Sequence, residues 1–310
     1  MEAYFLAGPT ASGKTAMAHQ LAAQHGLEIL SADSMLIYRG MDIGTAKPTP
    51  EERGTVPYHG IDLASAAETF NSWQYRAYAL KSLAEIEKRG RRAIVVGGTG
   101  LYLKALTHGF ADAPGPDPTL RSHWEGILAE EGVAPLAAAL KEQSPSLYEA
   151  IDDPDNGRRL VRFLEWAAAG LEAPPRNWNR EVDSTPMAAL KVDPDLLKSR
   201  IEQRVRAMYG QGLLDEVRGL LLSESGMSRT ARQAIGYAEA IALLKGQCSQ
   251  EEAIERTATR TRQLAKRQRT WLRTQAAVEW IDVTADTSVV DLAEAVWAQW
   301  DRQGPTGIVE

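Results

Sequence analysis

Eight residues near the start of the chain, Gly8, Pro9, Thr10, Ala11, Ser12, Gly13, Lys14 and Thr15, have the types and spacing to grip a chain of phosphates. They fill the pattern G-x-x-x-x-G-K-[ST], in which consecutive backbone N–H groups converge on an anion and the positive end of a following helix adds to the field. Lys14 brings a point charge to the terminal phosphate, and the Thr15 hydroxyl is a ligand for Mg²⁺. Nucleotide-binding and ATP-binding enzymes share such loops, so the pattern leaves open whose phosphates are held. Asp33 and the stretch Gly97-Gly98-Thr99-Gly100 add a carboxylate, a second glycine-rich turn and a hydroxyl. A diphosphate held by N–H groups, lysine, Mg²⁺ and arginine is either a nucleotide or a leaving group. Stabilising the charge on a departing pyrophosphate is an electrostatic task for which such a loop is suited. Asp33 would then take a proton from the attacking group.

These groups need a sheet to bring them together. Tyr4-Phe5-Leu6-Ala7 reads as a buried strand feeding the loop, and Ala16 to Ala23 as the helix after it. Leu27 to Ser31 reads as a second strand ending at Asp33, and Ala93 to Val96 as a central strand ending at Gly97. Ligands of open α/β sheets bind at the carboxyl ends of strands, which places all three stretches on one edge. The long loop from Met35 to Pro50 mixes aromatic, basic and small residues, as functional loops do. A helix from Asn71 or Ser72 to about Lys88 buries Tyr75, Ala79, Leu83 and Ile86 and stops at Gly90.

Composition shifts at Ala111 to Pro118, and from Leu120 to about Leu171 the pattern is helical, broken at Gly132 and Pro145, with a closing loop from Pro174 to Asp183. Ala189 to Val192 returns to the sheet, Val278 to Val283 is a last strand and Val289 to Trp300 a closing helix. The fold expected is α/β, a P-loop NTPase-like core whose parallel sheet is flanked by helices, with an inserted all-helical domain. Its parts are 1–115, first part of the core; 116–188, the insertion; and 189–310, completion of the core with basic helices.

Arg200 and Arg204 share a helical face, as do Arg158 and Arg162. Gly236-Tyr237 suggests a tight contact or a stacking site. From Arg256 to Arg273 there are seven cations and no acidic residue. A solvated face normally mixes signs, so this helix is read as a contact to a phosphate backbone. The net charge of −6 excludes indiscriminate coating of nucleic acid but not a local basic surface. Cys248 is the single cysteine, which excludes an internal disulfide and fits a packing role in a reducing cytoplasm. No apolar run reaches membrane-spanning length, and the chain opens on a strand rather than a signal peptide. His19, His25, His59, His108 and His123 lie in unrelated contexts and form no catalytic set; Trp73, Trp124, Trp166, Trp297 and Trp300 are expected as core or helix-packing residues.

The phosphate loop, Ser31-Ala32-Asp33-Ser34, Tyr38 to Pro48, Gly97 to Tyr102, Ala234-Ile235-Gly236-Tyr237 and Gln263 to Gln268 together closely resemble the bacterial tRNA dimethylallyltransferases, or isopentenyl-tRNA transferases. The resemblance runs in order over nearly the whole chain. It implies transfer of a dimethylallyl group from dimethylallyl diphosphate to the exocyclic amine of the adenine 3′-adjacent to the anticodon, in tRNAs reading codons that start with U. The phosphate loop would hold the prenyl donor rather than ATP. Asp33 matches the general base and Thr99 the hydroxyl that orients the amine; Lys14, Thr15 with Mg²⁺, and Arg204 match the groups that stabilise pyrophosphate.

The resemblance also implies tRNA contacts at Asp33, Ser34, Met35 and Leu36; at Thr99 and Arg121; at Arg158, Arg159, Leu160, Val161 and Arg162; at Arg232, Gln233, Ala234, Ile235, Gly236 and Tyr237; and at Lys266, Arg267, Gln268, Arg269, Thr270, Trp271, Leu272 and Arg273. A monomer acting in the cytoplasm on an anticodon stem-loop, with the target base extruded from its stack, completes the expectation. Three positions depart from the family pattern: Leu36 and an additional cation in the Arg158 cluster each stand where Gln is usual, and Ala238 where a long polar residue is frequent. Two other readings of the residues are a small-molecule kinase and a non-catalytic RNA-binding switch.

Overall fold

A computed structural model describes residues 1–110, 114–115, 117–175 and 186–309. The elements of the first half are β1 (Glu2–Ala7), α1 (Lys14–His25), β2 (Glu28–Ala32), β3 (Tyr38–Arg39), α2 (Pro50–Arg53), β4 (Tyr58–His59), β5 (Ala64–Ser65), α3 (Ser72–Lys88), β6 (Ala93–Gly97) and α4 (Gly100–Thr107). Then come α5 (Pro118–Glu130), α6 (Ala134–Gln143), α7 (Pro145–Ala150), α8 (Gly157–Ala168), β7 (Met187–Val192), α9 (Pro194–Gly210), α10 (Leu213–Leu222), α11 (Arg229–Gln233), α12 (Tyr237–Leu244), α13 (Gln250–Gln275), β8 (Val278–Val283), α14 (Val289–Gln303) and β9 (Thr306–Gly307).

The chain divides into two compact units, Met1–Thr107 with Val182–Glu310, and His108–Glu181. In the first unit the main sheet runs β4-β2-β6-β1-β7-β8, all parallel, with β9 antiparallel on the start of β1. Side chains alternate across it. Tyr4 and Leu6 of β1 and Ile94 and Val96 of β6 face one apolar layer, while Ala3, Phe5, Ala93 and Val95 face the other. Covered on both faces, these strands read as unbroken apolar runs, as parallel strands do. Each fully buried large apolar side chain contributes about 1.5–3 kcal/mol. The helix α3 begins where Asn71 accepts the Trp73 and Gln74 N–H groups while Gln74 caps Asn71 in return, and it buries Tyr75, Ala79, Leu83 and Ile86.

The second unit packs α5, α6, α7 and α8 around Leu136, Leu140, Leu147, Leu160 and Leu164. The composition change at Ala111 to Pro118 lies partly outside the described residues, as does much of the closing loop up to Asp183. Among the tryptophans, Trp73 is 43% exposed and so not a core residue: it occupies the first turn of α3, away from the buried stripe. Cys248 packs against the core edge. Among the described residues no helix is long and apolar enough to cross a membrane.

Candidate active site

Three adjacent parallel strands bring the chemistry together. In register, Ala32 of β2 and Ala7 of β1 both lie beside Gly97 of β6. The phosphate loop, Asp33 and the second glycine turn therefore leave the sheet at one edge. A side chain at Gly97 would sit 2.2 Å from the Ala32 carbonyl oxygen, so only glycine lets these strand ends meet. One cavity of about 250 Å³ results. Thr10 to Thr15, Asp33, Thr45 and Arg204 line its polar side; Ile29, Leu36, Tyr58, Ile61 and Val96 give it an apolar flank.

The geometry of the loop leaves donors pointing inward. Gly13 precedes α1 at φ 93° without a side-chain cap, so the first N–H groups of the helix remain for an anion. The Ser12 hydroxyl is buried with no hydrogen-bond partner. Burial lowers the Lys14 ammonium to about 8; the Asp33 carboxylate opposes that shift and the Arg204 cation adds to it. Burial likewise lowers Arg204, against the pull of Asp33. An anion between Lys14 and Arg204 relieves both desolvated cations. Asp33 is fixed by its own loop: its Oδ1 accepts the Met35 N–H at 2.9 Å. The Ser34 N–H donates to the Thr99 hydroxyl at 3.1 Å, tying the second strand end to the third.

Residues far away in sequence hold this edge. Gln268 Oε1 accepts the Thr10 N–H at 2.8 Å, and Arg200 donates to the Ser12 carbonyl at 3.4 Å. Glu216 accepts N–H groups from Asp42, Ile43 and Gly44 at 3.0, 2.7 and 3.2 Å, and the Tyr237 hydroxyl at 2.5 Å. That pins the loop whose Thr45 carbonyl accepts from Arg204 at 3.1 Å. Buried Lys47 ties the same loop together through Asp42, Asp62 and the Tyr38 carbonyl. No local pattern marks Glu216; Lys47 lies within the Tyr38 to Pro48 stretch that carries the family resemblance, but nothing in that stretch shows its buried partners. Gln268 does carry a signal: half-buried, it falls on the helical face of α13 that buries Ala265 and Leu272.

The residues expected at RNA separate into groups. Asp33 and Leu36 line the cavity, with Ser34 and Thr99 bonded to each other beside it; Met35 packs against the core. Tyr237, Ala234 and Leu272 are buried, and the ring of Tyr237 packs where a Gly44 side chain would be, so the tight contact expected at Gly236-Tyr237 is with the protein. Trp271 lies over Gly100 in the same way, its ring 2.2 Å from where a Cβ would stand. Arg232, Gln233, Lys266, Arg267, Arg269, Thr270 and Arg273 are exposed, and Ile235 is half-buried.

In the second unit Leu160 and Val161 are core residues. Arg121 and Arg162 both grip the buried carboxylate of Glu165, at 2.8 Å each, and Arg159 pairs with Asp152, while Arg158 is exposed. A cation already neutralised in this way offers a nucleic acid less than a bare one.

Residues 36–275 match the model of the IPP transferase family. The tRNA dimethylallyltransferase of Anaeromyxobacter dehalogenans is 45% identical over 286 residues, covering 91% of this chain and 95% of the relative. That of Geobacter metallireducens is 41% identical, covering 89% and 90%. Among solved structures, the full-length tRNA isopentenylpyrophosphate transferase of Bacillus halodurans superposes with a TM-score of 0.70 at 35% identity, covering 97% of each chain. A eukaryotic dimethylallyltransferase captured acting on tRNA gives a TM-score of 0.73 at 25% identity, covering 97% of this chain and 76% of its own. With the phosphate loop, the carboxylate and the arginine gathered on one sheet edge and relatives matched over nine-tenths of its length, the chain belongs to the IPP transferase family.

Proposed function

We propose that this chain is a tRNA dimethylallyltransferase. It moves the dimethylallyl group of dimethylallyl diphosphate to the exocyclic amine of the adenine 3′-adjacent to the anticodon, in tRNAs reading codons that start with U, and leaves isopentenyladenosine. The observation that carries the reading is that an anion cradle, a fixed carboxylate and an apolar flank line one cavity. The apolar flank beside the phosphates suits the five-carbon chain of a prenyl donor.

In this mechanism the diphosphate lies on the loop N–H groups, the Ser12 hydroxyl, Lys14 and Arg204. Charge grows on the departing pyrophosphate as the allylic C–O bond breaks, and these desolvated donors are preorganised for it. The new N–C bond forms at the adenine amine, whose lone pair is delocalised into the ring and is therefore weakly nucleophilic. Asp33 takes the amine proton, and the Thr99 hydroxyl, set by Ser34, orients the amine. The donor set fits Mg²⁺: Thr15 offers one hydroxyl, and among the described residues no group of three or more carboxylates, histidines and cysteines forms a cage. Such a set suits a hard cation that takes most of its oxygens from substrate phosphates and water, supplying charge neutralisation when bound. The setting is the cytoplasm, and the working form a monomer. Mass spectrometry of an anticodon stem-loop incubated with enzyme, Mg²⁺ and dimethylallyl diphosphate should show one added C5 unit on the target adenine. Phosphoryl transfer from ATP instead, or an unchanged stem-loop, would discard the reading.

A further inference from the structure

The side chain of Gln268 belongs to the inner face of α13, while Lys266, Arg267 and Arg269 around it are exposed. Its amide oxygen accepts the N–H of Thr10, the limb by which the phosphate loop leaves β1. Its amide nitrogen is 2.4 Å from where a Cβ on Gly98 would stand, and that same point is 2.8 Å from the Gly8 carbonyl oxygen. The amide is therefore packed over the Cα of Gly98, between the loop that cradles phosphates and the turn that carries Thr99. Gly98 has no side chain where one would push Gln268 aside. One turn further along α13, Trp271 covers Gly100 in the same manner.

We propose that Gln268 is a positioning residue for the diphosphate cradle and does not read RNA. By occupying the Thr10 N–H it fixes the entrance limb of the loop, and by filling the space above Gly98 it sets the spacing between the cradle and Thr99. This rests on the cavity being the prenyl diphosphate site. The side chain lies in the middle of a stretch that resembles an RNA-contacting segment, so the two roles make opposite forecasts. An RNA reader fails in RNA binding; a positioning residue fails in diphosphate binding. A residue that matters only for folding lowers both affinities together with the melting temperature.

The test uses the full chain with Gln268→Met, which keeps the reach of the side chain and removes its acceptor, and with Gln268→Ala. Binding of inorganic pyrophosphate with Mg²⁺ and of an anticodon stem-loop are measured separately, together with the melting temperature. Loss of one hydrogen bond that orders the loop should weaken pyrophosphate about tenfold in Gln268→Met. Stem-loop affinity should stay within about twofold, and the KM for the prenyl diphosphate should rise while that for RNA does not. Unchanged pyrophosphate affinity in both variants overturns the proposal, and so does a stem-loop affinity that falls as far as the pyrophosphate affinity. If the unsubstituted protein itself fails to bind pyrophosphate, the reading of the cavity falls and this proposal with it.

Discussion

Asp33 and Lys14 face each other across the cavity with opposite tasks, and each makes its own forecast. Replacing Asp33 by Ala removes the proton acceptor and the bond to the Met35 N–H, while the Ser34–Thr99 link does not use the Asp33 side chain. Turnover should fall by about 10²–10⁴-fold, the range for a positioned general base, with stem-loop affinity changed little. A single-turnover rate equal to that of the parent enzyme would take Asp33 out of the chemistry. The pH response belongs to Lys14. Its ordinary value of 10.5 is lowered to about 8 by burial, so the empty site loses the Lys14 charge, and keeps that of Arg204, as pH rises through 8. A bound diphosphate restores the preference for the charged form. Pyrophosphate binding should therefore take up a proton at Lys14 above pH 8 and weaken there by up to tenfold per pH unit, over and above the titration of the ligand itself. Folding stability moves the other way: the depressed lysine disfavours the charged fold, and that penalty is relieved between about pH 8 and 10.5. Calorimetry in buffers of different ionisation enthalpy reads the proton uptake, and Lys14→Met should abolish it.

Elements as well as residues must be placed, and the loop from Met35 to Pro48 shows how. Only Tyr38–Arg39 within it is strand; the rest is held by local turns, by its own Lys47 and by side chains from elsewhere. Glu216 of α10 takes three successive N–H groups of the loop and the hydroxyl of Tyr237, from the first turn of α12. Burial pushes the Tyr237 phenol up, and the neighbouring Glu216 carboxylate pushes it further, so it stays a donor. Tyr237→Phe should then lower stability by about 1–3 kcal/mol in denaturant unfolding, the cost of leaving a charged acceptor short of a partner. Its effect on stem-loop affinity should be small; a ring that stacked on RNA would give the reverse pair of results. The same element explains what could be read from sequence. The phosphate loop, Asp33 and Gly97 to Gly100 were legible because each is a local pattern at the end of an apolar strand. The long-range pairings that hold them and the Met35 to Pro48 loop were not, even where a helical face already marked Gln268 or Arg200: Gln268 reaches Thr10 across 258 residues, Arg200 reaches Ser12 across 188, and Glu216 reaches Gly44 across 172. Pairings of that span leave no periodicity in the chain. Tyr237 was legible as a tight contact but not as to its partner, because a ring that packs against Gly44 and one that stacks on a base are the same residue type.

On the scale of the molecule, a net charge of −6 has to coexist with binding a polyanion, and the arginines of α13 show how the charge is apportioned. Arg260 is held by Glu239 and by the Gln233 carbonyl, and Arg262 by Glu202 and Glu255. In contrast, Arg256, Lys266, Arg267, Arg269 and Arg273 are exposed, and none of them has an ion-pair partner among the described residues. The basic run in the sequence is thus two populations: one neutralised at home and fastening α13 to its neighbours, the other left for phosphates. Each phosphate neutralised releases condensed counterions, so the second population sets the salt dependence of RNA binding. Arg269→Ala or Arg267→Ala should lower stem-loop affinity evenly across RNA sequences and reduce the slope of log K against log salt by about 0.7–0.9 for each phosphate left without its cation. Arg260→Ala should leave that slope alone. It strands the mostly buried Glu239 carboxylate, which also caps the Gly236 N–H, and should instead cost about 1–3 kcal/mol of stability. Measuring both quantities for both substitutions separates the populations: equal slopes for Arg269→Ala and the parent protein would mean that this face of α13 does not meet the RNA backbone, whatever its charge.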